Sequence, residues 1–72
     1  MWLPTEEYAG LCSAIRTRFA NRIPKRDLFL YRNHLYVYTH DELHRIECVD
    51  RIEIEGNQDK LNAFIRRNTN EL

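Results

Sequence analysis

The chain has 72 residues, 43% apolar and 31% charged, and its eleven basic and eleven acidic side chains cancel to a formal charge of zero. A chain this short buries only about 60% of the surface its unfolded form exposes, so one modest core in a single domain over residues 1–72 is expected. The apolar content is that of a folded protein rather than a disordered tail, and zero net charge is a poor footprint for non-specific nucleic-acid binding.

Met1-Trp2-Leu3-Pro4 leads directly into Glu6-Glu7, with neither the basic segment nor the apolar segment of a secretory signal. No apolar run approaches the length of a membrane span. Cys12 and Cys48 are too few for a disulfide scaffold, and each sits among apolar neighbours as a buried reduced thiol does. A cytoplasmic location is expected.

The first predicted element is a helix. Tyr8, Leu11, Cys12, Ile15, Phe19 and Ile23 recur at spacings of three and four, which draws one apolar stripe. Thr5 is the expected N-cap, with Glu6 and Glu7 at the positive end of the helix dipole. Asn21 and Pro24 stop it. Arg16, Arg18 and Arg22 fall off the stripe and are expected in solvent.

A hairpin follows. Leu28 to Arg32 and Leu35 to Thr39 read as strands separated by Asn33-His34, which as a two-residue turn sets Tyr31 opposite Tyr36 and Leu30 opposite Val37. One face then carries Leu28, Leu30, Leu35, Val37 and Thr39, and the other Phe29, Tyr31, Tyr36 and Tyr38. If both helices pack on the aliphatic face, the aromatic face points outward and marks a binding surface. If the helices take opposite faces, the aromatics are ordinary core.

From Leu43 to Glu55 the pattern alternates again, with Ile46, Cys48, Ile52 and Ile54 on one face and Asp50 landing among them. Val49-Asp50 therefore marks a bulge or a break, giving one bent strand or two short ones. Gly56-Asn57 ends the sheet, Leu61, Phe64 and Ile65 form the ridge of a second helix, and Asn68 to Leu72 are expected to fray. The fold class is α+β and two-layer: an N-terminal helix, an antiparallel three-stranded meander and a C-terminal helix. Its expected core is Leu11, Ile15, Phe19, Leu30, Val37, Ile46, Ile52, Leu61, Phe64 and Ile65. The tail Arg51 to Ile65 resembles the strand–turn–helix unit of acylphosphatase-like domains, but the phosphate-cradling loop of that family has no counterpart here, and no activity is implied.

Chemistry is sparsely signalled. His40-Asp41-Glu42-Leu43-His44 spaces two histidines as in H-E-x-x-H, yet its second position is Asp41, its flanks read as strands and no distant third ligand is evident. No metal, cofactor or catalytic set is therefore expected, and the chain reads as a non-enzyme. The leading expectation is a protein-interaction module (an adaptor, an inhibitor or a small accessory subunit, with a homodimer as one form) using Phe29, Tyr31, Tyr36, Tyr38 and Arg32. The alternative is a single-stranded nucleic-acid binder in which the same rings stack on bases while Arg16, Arg18, Arg22, Lys25 and Arg26 meet phosphates. Charge is segregated: six bases face one acid between Arg16 and Arg32, and seven acids face Arg45 and Arg51 between Asp41 and Asp59.

Overall fold

The stripe and the two alternating runs fold as the expected sequence of elements in a computed structural model, which describes residues 1–69. Helix α1 (Thr5–Phe19) is followed by strands β1 (Arg26–Tyr31), β2 (His34–His40) and β3 (Ile46–Glu53), and by helix α2 (Gln58–Thr69). The strands form one antiparallel sheet in the order β1-β2-β3, so the fold is a small α+β meander flanked by helices. Of the segment expected to fray, Asn68 and Thr69 are helical, and residues 70–72 lie outside the described residues.

Leu11, Cys12 and Ile15 form the buried part of the α1 stripe. The helix starts one residue earlier than an N-cap at Thr5 requires: Pro4 is the cap residue, its carbonyl accepts from the Tyr8 amide at 2.9 Å, and no side chain caps the end. It also stops sooner than Pro24 demands. Ala20 turns to a φ of 53° while its amide still bonds the Arg16 carbonyl at 2.8 Å, and Ile23 packs on the core from the loop beyond.

The hairpin turn is Arg32-Asn33 rather than Asn33-His34, and both residues have positive φ (47° and 65°), as a primed two-residue turn requires. Tyr31 therefore pairs with His34, Leu30 with Leu35 and Phe29 with Tyr36. The register moves by two residues, an even number, so each side chain keeps its expected face.

The bulge falls where Asp50 disturbed the pattern. Val37 pairs with Asp50 and Tyr38 with Cys48, so Val49 is the extra residue on β3. Its consequence corrects the expected facing. Ile46 and Cys48 share the aromatic face with Tyr36 and Tyr38, whereas Asp50 and Ile52 cross to the aliphatic face beside Val37 and Leu35.

The helices take opposite faces of the sheet. Leu3, Leu11, Cys12 and Ile15 pack with Tyr36, Tyr38, Ile46 and Cys48 in one cluster, with Phe19, Ile23, Phe29 and Tyr31 around it. On the other face α2 buries Phe64 and Asn68, and Asn68 bonds Asp50. The sheet is thus covered by a helix on each side rather than on one. Both layers are apolar because each faces a helix.

Among the expected core residues, Leu11, Ile15, Val37, Ile46 and Phe64 are buried, and Phe19, Ile52, Leu61 and Ile65 are half-buried. Leu30 is the exception, being 64% exposed.

Candidate functional site

The aromatic face is core. Tyr36 and Tyr38 are 1% and 0% exposed, Phe29 and Tyr31 are half-buried, and α1 covers all four from one side. Phe29 meets Phe19 at 6.2 Å and meets Tyr38 edge-on at 6.5 Å, while Tyr31 packs on Tyr36 at 6.2 Å between centroids. Rings locked in this way supply packing energy, and Tyr36 and Tyr38 have almost no exposed surface, whereas Phe29 and Tyr31 keep partial exposure. Of the expected set Phe29, Tyr31, Tyr36, Tyr38 and Arg32, the structure brings Tyr31, Tyr36 and Arg32 to one open groove beside Glu6, Glu7 and His34, while Tyr38 is fully buried. Only Arg32 stands in solvent, at the tip of the hairpin, with its guanidinium 5.5 Å from the Tyr31 ring centre.

The basic set lies on α1, on the loop after it and at the start of β1. Arg16, Arg18, Arg22 and Lys25 are exposed along the last turns of α1 and the loop after it, and Arg26 is half-buried at the start of β1. Arg18 lies over Phe19 at 5.1 Å. Of the rings named with this set, Tyr36 and Tyr38 are buried and Phe29 and Tyr31 half-buried.

A different surface emerges on the aliphatic face. Leu30 and Leu35 are direct cross-strand partners, and Leu28 sits opposite Val37 on the same face. Helix α2 lies toward β3, where Arg67 and Asn68 both donate to one Asp50 carboxylate oxygen, at 2.6 and 3.3 Å. Val37 is fully buried, Leu28 and Leu35 are half-buried, and Leu30 is open, so cover thins progressively toward β1. β1 is also a sheet edge, on which the Asp27 carboxylate already accepts from the outward Leu28 amide at 2.8 Å. The opposite edge, β3, carries the bulge, a feature that blunts an edge against pairing. Sequence reasoning placed Leu30 in the core because its face is apolar. The lateral position of α2 decides its exposure, and the acid at Asp50 was the signal that could have shown where α2 is tied.

Charge is arranged to hold elements together. Arg51, paired across the strands with Tyr36 on the α1 face, forms an ion pair with Glu7 of α1. Burial works to raise the Asp50 pKa, but the bonds from Arg67 and Asn68, the Arg67 charge and the Arg51 amide outweigh it and leave the carboxyl below its ordinary range. Burial, then the nearby Asp27 charge, pushes the Tyr38 hydroxyl up to about 12. Burial likewise pushes the Cys48 thiol up, which keeps it protonated and a poor nucleophile. Both cysteines are free and buried.

His40 and His44 do approach one another, with ring centres 5.5 Å apart, although His40 ends a strand and His44 sits in the following turn. No cluster of three or more histidine, cysteine or carboxylate groups able to hold a metal occurs among the described residues. No helix among them is long and apolar enough to cross a membrane.

No protein-family model matches this chain, and neither does any curated protein or solved structure.

Proposed function

We propose that this chain is a non-enzymatic protein-interaction module that docks through the Leu28, Leu30 and Leu35 strip and the β1 edge beside it, first of all onto a second copy of itself. The observation that carries the reading is Leu30, a large aliphatic side chain 64% exposed at an unpaired sheet edge. Edge strands with apolar neighbours are the usual acceptors of an added strand. A second copy suits the edge because antiparallel pairing of β1 with its equivalent would bring both aliphatic strips to one continuous face. A net charge of zero, with a pI of about 6.8, leaves no general electrostatic barrier between copies. A chain with so thin a core also gains most from burying further apolar surface.

Leu30→Lys tests the reading. It replaces an exposed side chain, so it should leave the monomer's stability within about 0.5 kcal/mol of wild type. It should also abolish self-association, since a lysine on an edge strand opposes pairing. The module role (adaptor, inhibitor or accessory subunit) then follows from what the paired face displays or occludes. The nucleic-acid reading is the weaker one: Tyr36 and Tyr38 are inaccessible for stacking, which leaves it the half-buried Phe29 and Tyr31 beside the exposed Arg16, Arg18, Arg22 and Lys25.

A further inference from the structure

At the end of the molecule where α1 finishes, Arg16, Ala20, Asn21, Ile23, His40 and His44 line an open groove of about 460 Å³. Three separate segments meet here. The His40 amide bonds the Lys25 carbonyl at 2.8 Å, which fastens the end of β2 to the loop after α1. Arg16 reaches toward the His44 carbonyl at 3.5 Å, a long and weak contact that leaves most of its donors uncommitted. The His40 Nε2 atom is buried and has no hydrogen-bond partner among the described residues.

The turn carrying His44 is held rigidly. The Asp41 carboxylate accepts from the amides of Leu43 and Arg45, each at 2.9 Å, and from the Arg45 guanidinium at 2.8 Å. Those bonds, led by the Arg45 amide, hold the Asp41 pKa below its ordinary value. Its negative charge is therefore engaged within the turn, and Glu42 beside it is in solvent. Arg22 and Lys25, both exposed, add positive charge on the same loop.

We propose that this groove binds the phosphate group of a small phosphate monoester. A guanidinium, two imidazoles and the Asn21 amide offer several N–H donors to one compact acceptor, and Arg presents two of its own in parallel to a phosphate. Ala20 and Ile23 supply an apolar wall for the organic part of the ligand. A single arginine lines this groove, enough for one phosphate group, whereas a polynucleotide diester would have to engage Arg22 and Lys25 outside it as well.

The test is a titration of the full chain followed by NMR of the imidazole and backbone signals, using inorganic phosphate, phenyl phosphate and a short single-stranded oligonucleotide. Phenyl phosphate should give saturable shifts at His40 and His44, with tighter binding than inorganic phosphate. Arg16→Gln, a substitution at an exposed helix position that should leave circular dichroism unchanged, should weaken it at least about tenfold. His44→Ala should weaken it as well. The proposal is overturned if no saturable shift appears up to about 10 mM, a range in which even weak specific sites respond. It is equally overturned if Arg16→Gln binds phenyl phosphate as wild type does, or if the oligonucleotide binds at these histidines and phenyl phosphate does not.

Discussion

Asn68, in the last turn of α2, donates its side-chain amide to the Asp50 carboxylate of β3 at 3.3 Å and to the Phe64 carbonyl at 2.9 Å. With Arg67 on the same Asp50 oxygen at 2.6 Å, this pair fixes where α2 lies across the sheet. Cover over β3 and exposure of Leu30 on β1 are two sides of one placement.

Removing the anchor should therefore loosen α2. Asp50→Ala strips three bonds, from Arg67, Asn68 and the Arg51 amide, and leaves a buried Asn68 amide short of a partner, a loss of about 2 kcal/mol at neutral pH. The folded-state pKa of Asp50 is lowered, so its contribution is present above the unfolded value of about 3.9 and is lost as pH falls through the folded value. Urea unfolding of wild type and variant should differ at pH 7 and converge well below pH 4. Equal midpoints at pH 7 would show that Asp50 does not anchor the helix.

The tyrosines of the covered face should behave as core. Tyr36→Ser and Tyr38→Ser each remove a fully buried ring, at a cost of about 3 kcal/mol or more, enough to unfold a marginal domain. A folded double variant by circular dichroism would contradict the packing of α1 on this face.

Tyr38→Phe should act in the opposite direction. The Tyr38 hydroxyl is buried without a hydrogen-bond partner among the described residues, so deleting it should stabilise the fold by about 1 kcal/mol. The hydroxyl also makes stability pH-dependent. Its folded pKa of about 12 exceeds the ordinary value of 10.0, so its contribution is intact below pH 10 and is lost as pH rises from 10 through 12. Alkaline unfolding should begin at higher pH in the phenylalanine variant. A variant less stable than wild type at pH 7 would mean that the hydroxyl is satisfied.

Gly10 gives a test of how α1 seats on β1. A Cβ added there would run into the Tyr31 hydroxyl, the mobile end of a half-buried side chain. Gly10→Ala should gain helix propensity, about 1 kcal/mol, only when Tyr31 can yield. A double-mutant cycle with Tyr31→Phe should return a coupling of about 0.5 kcal/mol or more. A coupling of zero would place Tyr31 away from α1.

Much of the fold was legible because periodicity is a local property. The stripe of Leu11, Cys12 and Ile15 and the alternation of Leu28 to Tyr31 and Leu35 to Tyr38 identified the helix and both strands of the hairpin. Even a turn misplaced by one residue preserved the faces, since the register moved by two. What a single strand cannot state is which helix lies on which face. Both faces of this hairpin are apolar, and a sheet open to water on one side would have alternated apolar with polar residues. That pattern is met equally by a helix or by a partner covering the aromatic face, and the partner was the leading expectation. The bulge at Val49 was foreseeable from Asp50, but its effect, splitting Cys48 from Ile52, depends on pairing with β2. The candidate interface escaped the sequence for a related reason: Leu28, Leu30 and Val37 look alike in a pattern, and only the tie between Asp50 and α2 separates the exposed one from the buried one.

The most direct measurement is sedimentation equilibrium of wild type and Leu30→Lys across a wide range of protein concentration. Wild type should show a concentration-dependent monomer–dimer equilibrium, and the variant a folded monomer throughout. A wild-type chain that stays monomeric at every concentration, or a variant that dimerises as wild type does, would contradict docking through the Leu30 strip.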